Sequence, residues 1–292
     1  MQIVGKVVAM NTSDGLLNVS ILDEAKETWN LKAKLEVPFQ IGHIYIFEVS
    51  QSFKERISYT IESYQAVSDL DMTSSDAYLR KFYAGSPISL EEAVEIIQNS
   101  IEEIQNPVIH DITKKVLEQK KKQFFLYPAG SRMHHTYVGG LAYHTIGMLR
   151  FAKTFMENYP YLKSDYLYAG ILLHDLGKTD ELSGIEATEF TLDGQLLGHL
   201  VIGALEINKA AESLGYGNKD EVKILEHMLI SHHGQPQFGA AKRPMTPEAV
   251  ALWYIDTIDS KFRVLGEELN RTESKHFTDT IGVLDKIKIY KE

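Results

Sequence analysis

Histidine and aspartate residues of the metal-ligand type recur in order along this sequence. His174 and Asp175 stand side by side after an apolar run, in the stretch Tyr-Ala-Gly-Ile-Leu-Leu-His-Asp-Leu-Gly-Lys. Adjacent residues do not share one face of a helix, but where a helix ends the backbone turns and both side chains can reach one point. One such pair is weak evidence. It gains weight from further candidates, each separated from the next by about a helix and its connection; these are His144, His199, His232, His233 and Asp256.

Neutral imidazoles and carboxylates bind borderline divalent metals. Taken singly, each histidine is better explained as a structural or exposed residue, but the ordered set favours a metal site. Two metals about 3.5–4 Å apart would supply the nucleophile and the charge neutralisation that phosphodiester hydrolysis needs. Asp175 is predicted to bridge them, because a carboxylate has two oxygens for two cations. Asp259 shares a helix face with Asp256 and is predicted to be its neighbour or a helix charge rather than a ligand.

Composition narrows the class of protein. The chain has 292 residues, no cysteine and a net charge of −10. The absence of cysteine excludes disulfides, a thiolate nucleophile and a Cys-based zinc site. The negative charge argues against a protein that coats nucleic acid broadly, although it allows a local binding groove. No apolar run is long enough to span a membrane, and the N-terminus lacks a signal-peptide pattern, so a cytoplasmic protein without a membrane partner is expected.

Residues 1–66 carry five short strand-like runs separated by turn residues, which favours a small all-β barrel of the oligonucleotide-binding (OB) type. A face that stacks bases and contacts phosphates could be formed by Tyr45, Phe47, Tyr59, Lys54 and Arg56. Alternatively, the aromatic residues fill the barrel. This second interpretation is favoured because the segment carries six Lys and Arg residues against eight Asp and Glu residues.

The remainder of the chain is predicted to be helical. Residues 67–88 are polar and irregular, which is typical of a linker. Ser89 then opens a helix with a capping-box pattern, and residues 89–292 are predicted to form one all-α domain. The fold class is therefore multidomain, with an OB-like barrel followed by an all-α domain.

The ordered ligands resemble the HD superfamily of metallophosphohydrolases, in which His, His-Asp and Asp lie on separate helices of one all-α domain. The sequence around these ligands is most similar to that of the YhaM-type exoribonucleases, which also carry an N-terminal OB-like domain. The stretches that carry this resemblance are Gly139-Gly-Leu-Ala-Tyr-His144-Thr, His174-Asp-Leu-Gly-Lys178, Gly198-His199, Ser231-His-His-Gly234 and Ile255-Asp-Thr-Ile-Asp-Ser-Lys261. The front module is shorter and more acidic than a good nucleic-acid-binding OB fold.

The resemblance implies two divalent ions per chain and assigns their ligands. One ion takes His144, His174, Asp175 and Asp256, and the other takes Asp175, His199, His232 and His233. The mixed nitrogen and oxygen set suits Mn²⁺ best, with Fe²⁺, Co²⁺ or Zn²⁺ as alternatives. Lys178 is predicted to hold a substrate phosphate beside the catalytic Asp175, or to serve the helix dipole instead. Further candidates for substrate binding are Arg132, His135 and Lys261.

The resemblance implies a metal-dependent 3′-to-5′ exoribonuclease that acts on single-stranded RNA. An HD-type phosphohydrolase for nucleotides or cyclic nucleotides is the main alternative. A non-catalytic nucleic-acid-binding factor is a third, although binding alone does not explain an intact ligand set. The sequence leaves the oligomeric state open.

Overall fold

The computed structural model describes residues 1–13, 15–53, 57–130 and 137–292. Contacts divide the chain into two compact units. One contains residues 1–85 together with 183–188, and the other contains residues 86–182 and 189–292. Within the described residues, no helix combines the length and the apolar character that crossing a membrane requires.

The N-terminal unit contains the expected five-stranded barrel. Its strands close in the order β1-β2-β3-β5-β4, so that β1 pairs with both β2 and β4. All neighbours are antiparallel except β3 and β5, which run parallel. This confirms the predicted OB-like layout. In chain order the strands are β1 (Gln2–Ser13), β2 (Leu16–Leu22), β3 (Thr28–Ala33), β4 (Ile44–Phe53) and β5 (Ile57–Ala66).

Alternating apolar residues on these strands fill the barrel. Val19 and Ile21 on β2 and Leu31 on β3 are completely buried, which is the pattern that inward-facing strand positions predict. Tyr45 and Phe47 on β4 also belong to this core, with 5% and 0% of their surfaces exposed. These two aromatics therefore support the barrel and are not available to stack on bases.

The segment predicted to be a linker contains a helix. Helix α1 (Met72–Phe82) follows a short 3₁₀ turn, and the Asp71 carboxylate accepts the backbone N–H of Ser74 as its N-cap. The same unit includes the excursion 183–188, where the carboxylate of Glu186 accepts the backbone N–H of Ile44 at 2.6 Å. Polar composition here marks a capped amphipathic helix rather than irregular chain.

The second unit is built from helices, as predicted. Its first two helices begin at the expected signals: the Ser89 hydroxyl accepts from the backbone N–H of Glu92, and Asn106 caps a helix that starts with Pro107. The helices are α2 (Leu90–Glu102), α3 (Pro107–Gln119), α4 (Lys121–Leu126), α5 (Gly140–Asn158), α6 (Ser164–Leu173), α7 (Lys178–Glu181), α8 (Leu192–Leu196), α9 (Gly198–Ser213), α10 (Asp220–Ser231) and α11 (Pro247–Arg271).

Helix α6 lies at the centre of this unit. It packs against α3, α5, α10 and α11, and its run from Leu167 to Leu173 is buried on all sides. A helix that is apolar all round is stable only in such a position. Because α6 ends at His174, the apolar run places the following polar residues in the interior. Beyond α11, a short hairpin of β6 (His276–Phe277) and β7 (Tyr290–Lys291) ends the chain.

Candidate metal centre

Asp175 lies at the centre of the predicted ligand set, directly after α6. It is almost fully buried, with 4% of its surface exposed. Its Oδ2 lies 3.3 Å from Nε2 of His174 and 4.0 Å from Nε2 of His144. Its Oδ1 lies 3.4 Å from Nε2 of His199 and 3.6 Å from Nε2 of His232. The two oxygens of one carboxylate therefore face two different pairs of imidazoles.

The first half of the cluster joins three helices. His144 comes from the buried first half of α5, His174 ends α6, and Asp256 lies on α11. The Nε2 of His144 lies 3.2 Å from Oδ1 of Asp256. One ligand atom from each of these three residues falls within 4.8 Å of the other two, close enough to share one ion.

The second half is built from histidines alone. His199 lies in the first turn of α9, while His232 and His233 follow one another at the end of α10. Their ligand atoms also fall within 4.8 Å of one another. The Nε2 atoms of His199 and His233 approach to 3.3 Å. His232 further groups with His174 and Asp175, so the two halves are continuous through the carboxylate.

The Nδ1 atom of every histidine in the cluster meets a hydrogen-bond acceptor. Two of these acceptors are carboxylates: Asp259 lies 2.8 Å from His144, and Glu181 lies 3.0 Å from His199. The other three are backbone carbonyls at 2.8 Å, which pair His174 with Ile171, His232 with Leu229 and His233 with Phe238. An acceptor at Nδ1 fixes the proton there and leaves the Nε2 lone pair for a metal.

A divalent cation fits this donor set. Three buried side-chain atoms in the described part of the chain have no hydrogen-bond partner, and all three belong to the cluster: Nε2 of His174, Oδ1 of Asp175 and Nε2 of His232. Leaving a buried polar atom unsatisfied costs about 1–3 kcal/mol. Lone pairs that converge in this way repel one another, whereas a cation between them would satisfy them together.

Comparison with known protein families matches residues 141–261 to one family model. That model is the HD domain. The matched segment begins in α5, ends in α11 and contains all seven predicted ligands. HD domains bind divalent metals, and the match supports a metal-dependent phosphohydrolase in general. The predicted HD layout behind an N-terminal barrel is therefore confirmed.

Charges in the HD domain keep the carboxylates ionised. Burial alone would raise the pKa of Asp175, but Lys178 and His174 outweigh it and hold that pKa well below the usual range. Burial also opposes ionisation of Asp256, whose pKa is nevertheless lowered by its hydrogen bond from His144. In His144 the lowering by burial is outweighed by Asp256 and Asp259, which raise its pKa to about 9. A metal ion bound by His144, His174 and Asp256 would therefore compete with a proton on His144.

Burial lowers the pKa of the two histidines that follow α10. For His232 and His233 this desolvation is the largest influence, and it keeps the rings neutral at physiological pH. A neutral imidazole is the form that binds a metal. His232 and His233 are therefore ready to bind a cation without losing a proton.

Glycines allow the backbone to approach closely at two points around the cluster. A Cβ added at Gly177 would overlap the carbonyl oxygen of His199, so glycine lets the start of α9 pack on the turn after Asp175. Gly234 has a φ of +77° and lies against the ring of Trp253, where an added Cβ would collide with the indole. The turn after His233 therefore depends on glycine both for its conformation and for space.

Lys178 is part of the cluster's support. Its Nζ donates to Oδ2 of Asp175 at 2.6 Å and to the carbonyl oxygen of Ala129 at 2.7 Å. Burial alone would lower the lysine pKa, but the Asp175 carboxylate outweighs it and raises that pKa. The ammonium is therefore charged and fixed. Lys178 is the first residue of the four-residue helix α7 and also belongs to its last turn, so both predicted roles of this lysine stay predictions.

The other predicted substrate contacts stay predictions. Lys261 lies on α11 and is half-buried, and none of the contacts described above involves it. Tyr59 lies in the barrel, where its ring meets Trp29 edge-on at 5.4 Å. The remaining predicted contacts lie outside the described residues; these are Lys54, Arg56, Arg132 and His135.

Glu181 is a site residue that the sequence did not reveal. It stands in the run Lys-Thr-Asp-Glu, which resembles an ordinary exposed acidic helix end, yet it is 8% exposed. Burial alone would raise the pKa of this carboxylate, but its hydrogen bonds from His199 lower it. Asp259, by contrast, was expected beside Asp256, and it binds His144 from the same face of α11.

Proposed function

We propose that this chain is a metal-dependent 3′-to-5′ exoribonuclease that hydrolyses single-stranded RNA with two divalent ions, Mn²⁺ being the best suited. The observation that carries the proposal is the position of Asp175, whose two oxygens each face a separate pair of histidines. The choice of RNA and of cleavage direction is supported by the sequence resemblance to YhaM-type enzymes and by the N-terminal barrel.

The ligands divide between two positions that share Asp175. His144, His174 and Asp256 would hold one ion, and the three remaining histidines would hold the other. Bound there, the ions would supply the positive charge that activates a water molecule and neutralises the phosphoryl oxygens. Five imidazoles with two carboxylates suit Mn²⁺, Fe²⁺ or Co²⁺ better than Mg²⁺, which prefers oxygen ligands and keeps several waters.

The protein's own contribution is orientation and charge. Asp175 and Asp256 remain ionised at neutral pH, and the acceptors at Nδ1 hold the imidazoles in one orientation. Lys178 holds the Asp175 carboxylate by one hydrogen bond and the Ala129 carbonyl by another. An ammonium has three N–H donors, and we propose that the third contacts a phosphate of the substrate.

The barrel would supply contacts with the RNA strand beyond the cleaved phosphate. Because Tyr45 and Phe47 are core residues, this role falls to the partly exposed Tyr59 and the exposed Phe53. An aromatic face that stacks a base contributes about 1–3 kcal/mol without regard to sequence. This contribution fits an enzyme that shortens RNA of any sequence.

Digestion of a single-stranded RNA labelled at its 5′ end tests the proposal. With Mn²⁺ and the full-length protein, we expect a ladder of shortened labelled products, which EDTA abolishes. A circular RNA of the same sequence serves as the matched control and should remain intact, since an exonuclease needs an end. Immediate release of a labelled mononucleotide would show that cleavage proceeds from the 5′ end instead. Hydrolysis of free nucleotides alone would favour the nucleotide-phosphohydrolase alternative, and binding without turnover would contradict catalysis.

A further inference from the structure

Glu181 contacts His199 twice through a single oxygen. Its Oε1 accepts the backbone N–H of His199 at 3.0 Å and also lies 3.0 Å from Nδ1 of the same residue. The carboxylate therefore fixes both the start of α9 and the orientation of the imidazole that α9 contributes to the cluster.

The need for this carboxylate follows from where His199 lies in its helix. His174 and His232 end their helices, where backbone carbonyls lack partners, and each ring donates to a carbonyl three residues earlier. His199 instead begins a helix, where the unpaired backbone groups are N–H donors. An outside acceptor is required to serve both the backbone N–H and the ring, and Glu181 is that acceptor.

Glu181 is itself held in place by α8. Its carbonyl oxygen accepts the backbone N–H of Thr191 at 2.9 Å. The backbone of Gly194 packs directly on the same carbonyl, so closely that an added Cβ would overlap it. The backbone of Glu181 is thus fixed, and its side chain is buried, so the orientation of His199 does not depend on an exposed side chain.

We infer that Glu181 is a positioning residue that controls metal binding selectively at the His199, His232 and His233 half of the site. This inference rests on the proposed two-metal function. Asp259 serves His144 in the other half by an equivalent bond, so each half contains one histidine oriented by a carboxylate. Partners of this kind typically change metal affinity by about 10–100-fold when they are removed. Loss of the Glu181 charge should therefore weaken one ion and spare the other.

The test is a Mn²⁺ binding isotherm on the full-length, metal-free protein, without RNA. Wild type should bind two ions. In Glu181→Gln we expect one dissociation constant to rise about 10–100-fold while the other is unchanged. The matched control is Glu248→Gln, because Glu248 is similarly buried and accepts the backbone N–H of Lys163 at 2.9 Å, yet it contacts no histidine of the cluster. That control should leave both constants unchanged.

Two further measurements separate positioning from general stability. In ¹⁵N-labelled metal-free protein, His199 should be protonated at Nδ1 in wild type and should show mixed tautomers in Glu181→Gln. In a His199→Gln background, adding Glu181→Gln should change Mn²⁺ binding no further, since the ring that Glu181 orients is gone.

Several outcomes would overturn the inference. These are equal weakening of both ions, an unchanged tautomer, additive losses in the double variant, or unfolding of Glu181→Gln under conditions where wild type is folded. Wild type that binds fewer than two ions would remove the two-metal basis as well. Normal Mn²⁺ binding without RNA cleavage would contradict the proposed function alone and leave the role of Glu181 standing.

Discussion

The barrel interior and the metal centre are both buried, but they are built on opposite rules. The barrel core consists of side chains such as Val19, Leu31 and Phe47, whose burial is favourable in itself. The metal centre buries histidines and carboxylates, and it holds all three unsatisfied side-chain atoms found in the described residues. Unpaired buried polar atoms oppose folding. A bound cation would satisfy these atoms together, and this difference points to the helical unit as the place of the metal chemistry.

The largest expected effect comes from removing the carboxylate of Asp175, which lies at the middle of the metal centre. Asp175→Ala should retain the fold and lose turnover, because both ions of the proposed site would share this carboxylate. Loss of one preorganised catalytic donor already costs about 10²–10³ in kcat, so at least about 10³ is expected here. RNA hydrolysis and a circular dichroism spectrum are the measurements. Asp165→Ala, which removes a carboxylate that binds the backbone N–H groups of Gln105 and Asn106, is the control for folding. A folded Asp175→Ala protein with wild-type turnover would refute the bridging role.

The two aspartates of α11 provide the next comparison. Asp256 faces Nε2 of His144, the metal side of the ring, whereas Asp259 faces Nδ1. Asp259→Ala should weaken Mn²⁺ binding about 10–100-fold through the orientation of the ring. Asp256→Ala should weaken it more, because a ligand itself is lost. Titration of both variants with Mn²⁺ decides the order, and the reverse order would show that Asp259 is the ligand.

The stability of the metal-free protein should fall as the pH rises from 6.5 through about 9. Burial lowers the pKa of His144, but its hydrogen bonds with Asp256 and Asp259 raise it to about 9. A group whose folded pKa is raised stabilises the protein fully below its unfolded value of about 6.5, and this contribution disappears above about 9. It amounts to at most about 3 kcal/mol. Burial lowers the pKa values of His232 and His233, so their titration opposes folding mainly below about pH 6.5 and does not cause this loss.

Urea unfolding at pH 6.5 and pH 9.5 in EDTA measures that loss directly. The matched variant is His144→Gln, which removes the titrating ring and should flatten the dependence between the two pH values. A wild-type free energy of unfolding that stays constant over this range would contradict the proposed electrostatics of the pocket.

The smallest effect concerns the barrel, whose surface rather than its core should contact RNA. Tyr59→Leu should lower kcat/KM for a long single-stranded RNA by about tenfold, the equivalent of one lost stacking contact. Hydrolysis of bis-p-nitrophenyl phosphate should not change, since this small substrate has no nucleobase to stack on the ring. Tyr59→Phe keeps the ring and should behave as wild type at the same salt concentration. Equal losses on both substrates would mean that Tyr59 only stabilises the fold.

Much of this architecture is predictable from the sequence because its signals are local or come from residue type. Alternating apolar residues mark the barrel strands, and caps such as Ser89 mark the helix starts. The ligand set is recognisable because His174 and Asp175 belong to the small group of residues that bind metals. Helix α1 could have been found from Asp71, whose carboxylate caps it, but the polar composition of the segment favoured a linker.

Apart from Asp259, the supporting residues could not be predicted, because only the tertiary structure brings them to the site. Glu181 lies eighteen residues before His199, and nothing in its own segment distinguishes it from a solvated acidic residue. The same is true of Lys120, which stands in a run of lysines but whose Nζ binds the Asp180 carboxylate at 2.7 Å. Metal ligands can be recognised in the sequence from their residue types. The groups that orient them can be recognised only from their positions in the folded structure.

The central claim is that two divalent ions share the Asp175 carboxylate. Anomalous diffraction at the manganese edge, from crystals of the full-length protein grown with Mn²⁺, tests it most directly. We predict two peaks about 3.5–4 Å apart, one beside His144, His174 and Asp256 and the other beside the remaining three histidines. A single peak, or two peaks that do not both contact Asp175, would contradict the claim.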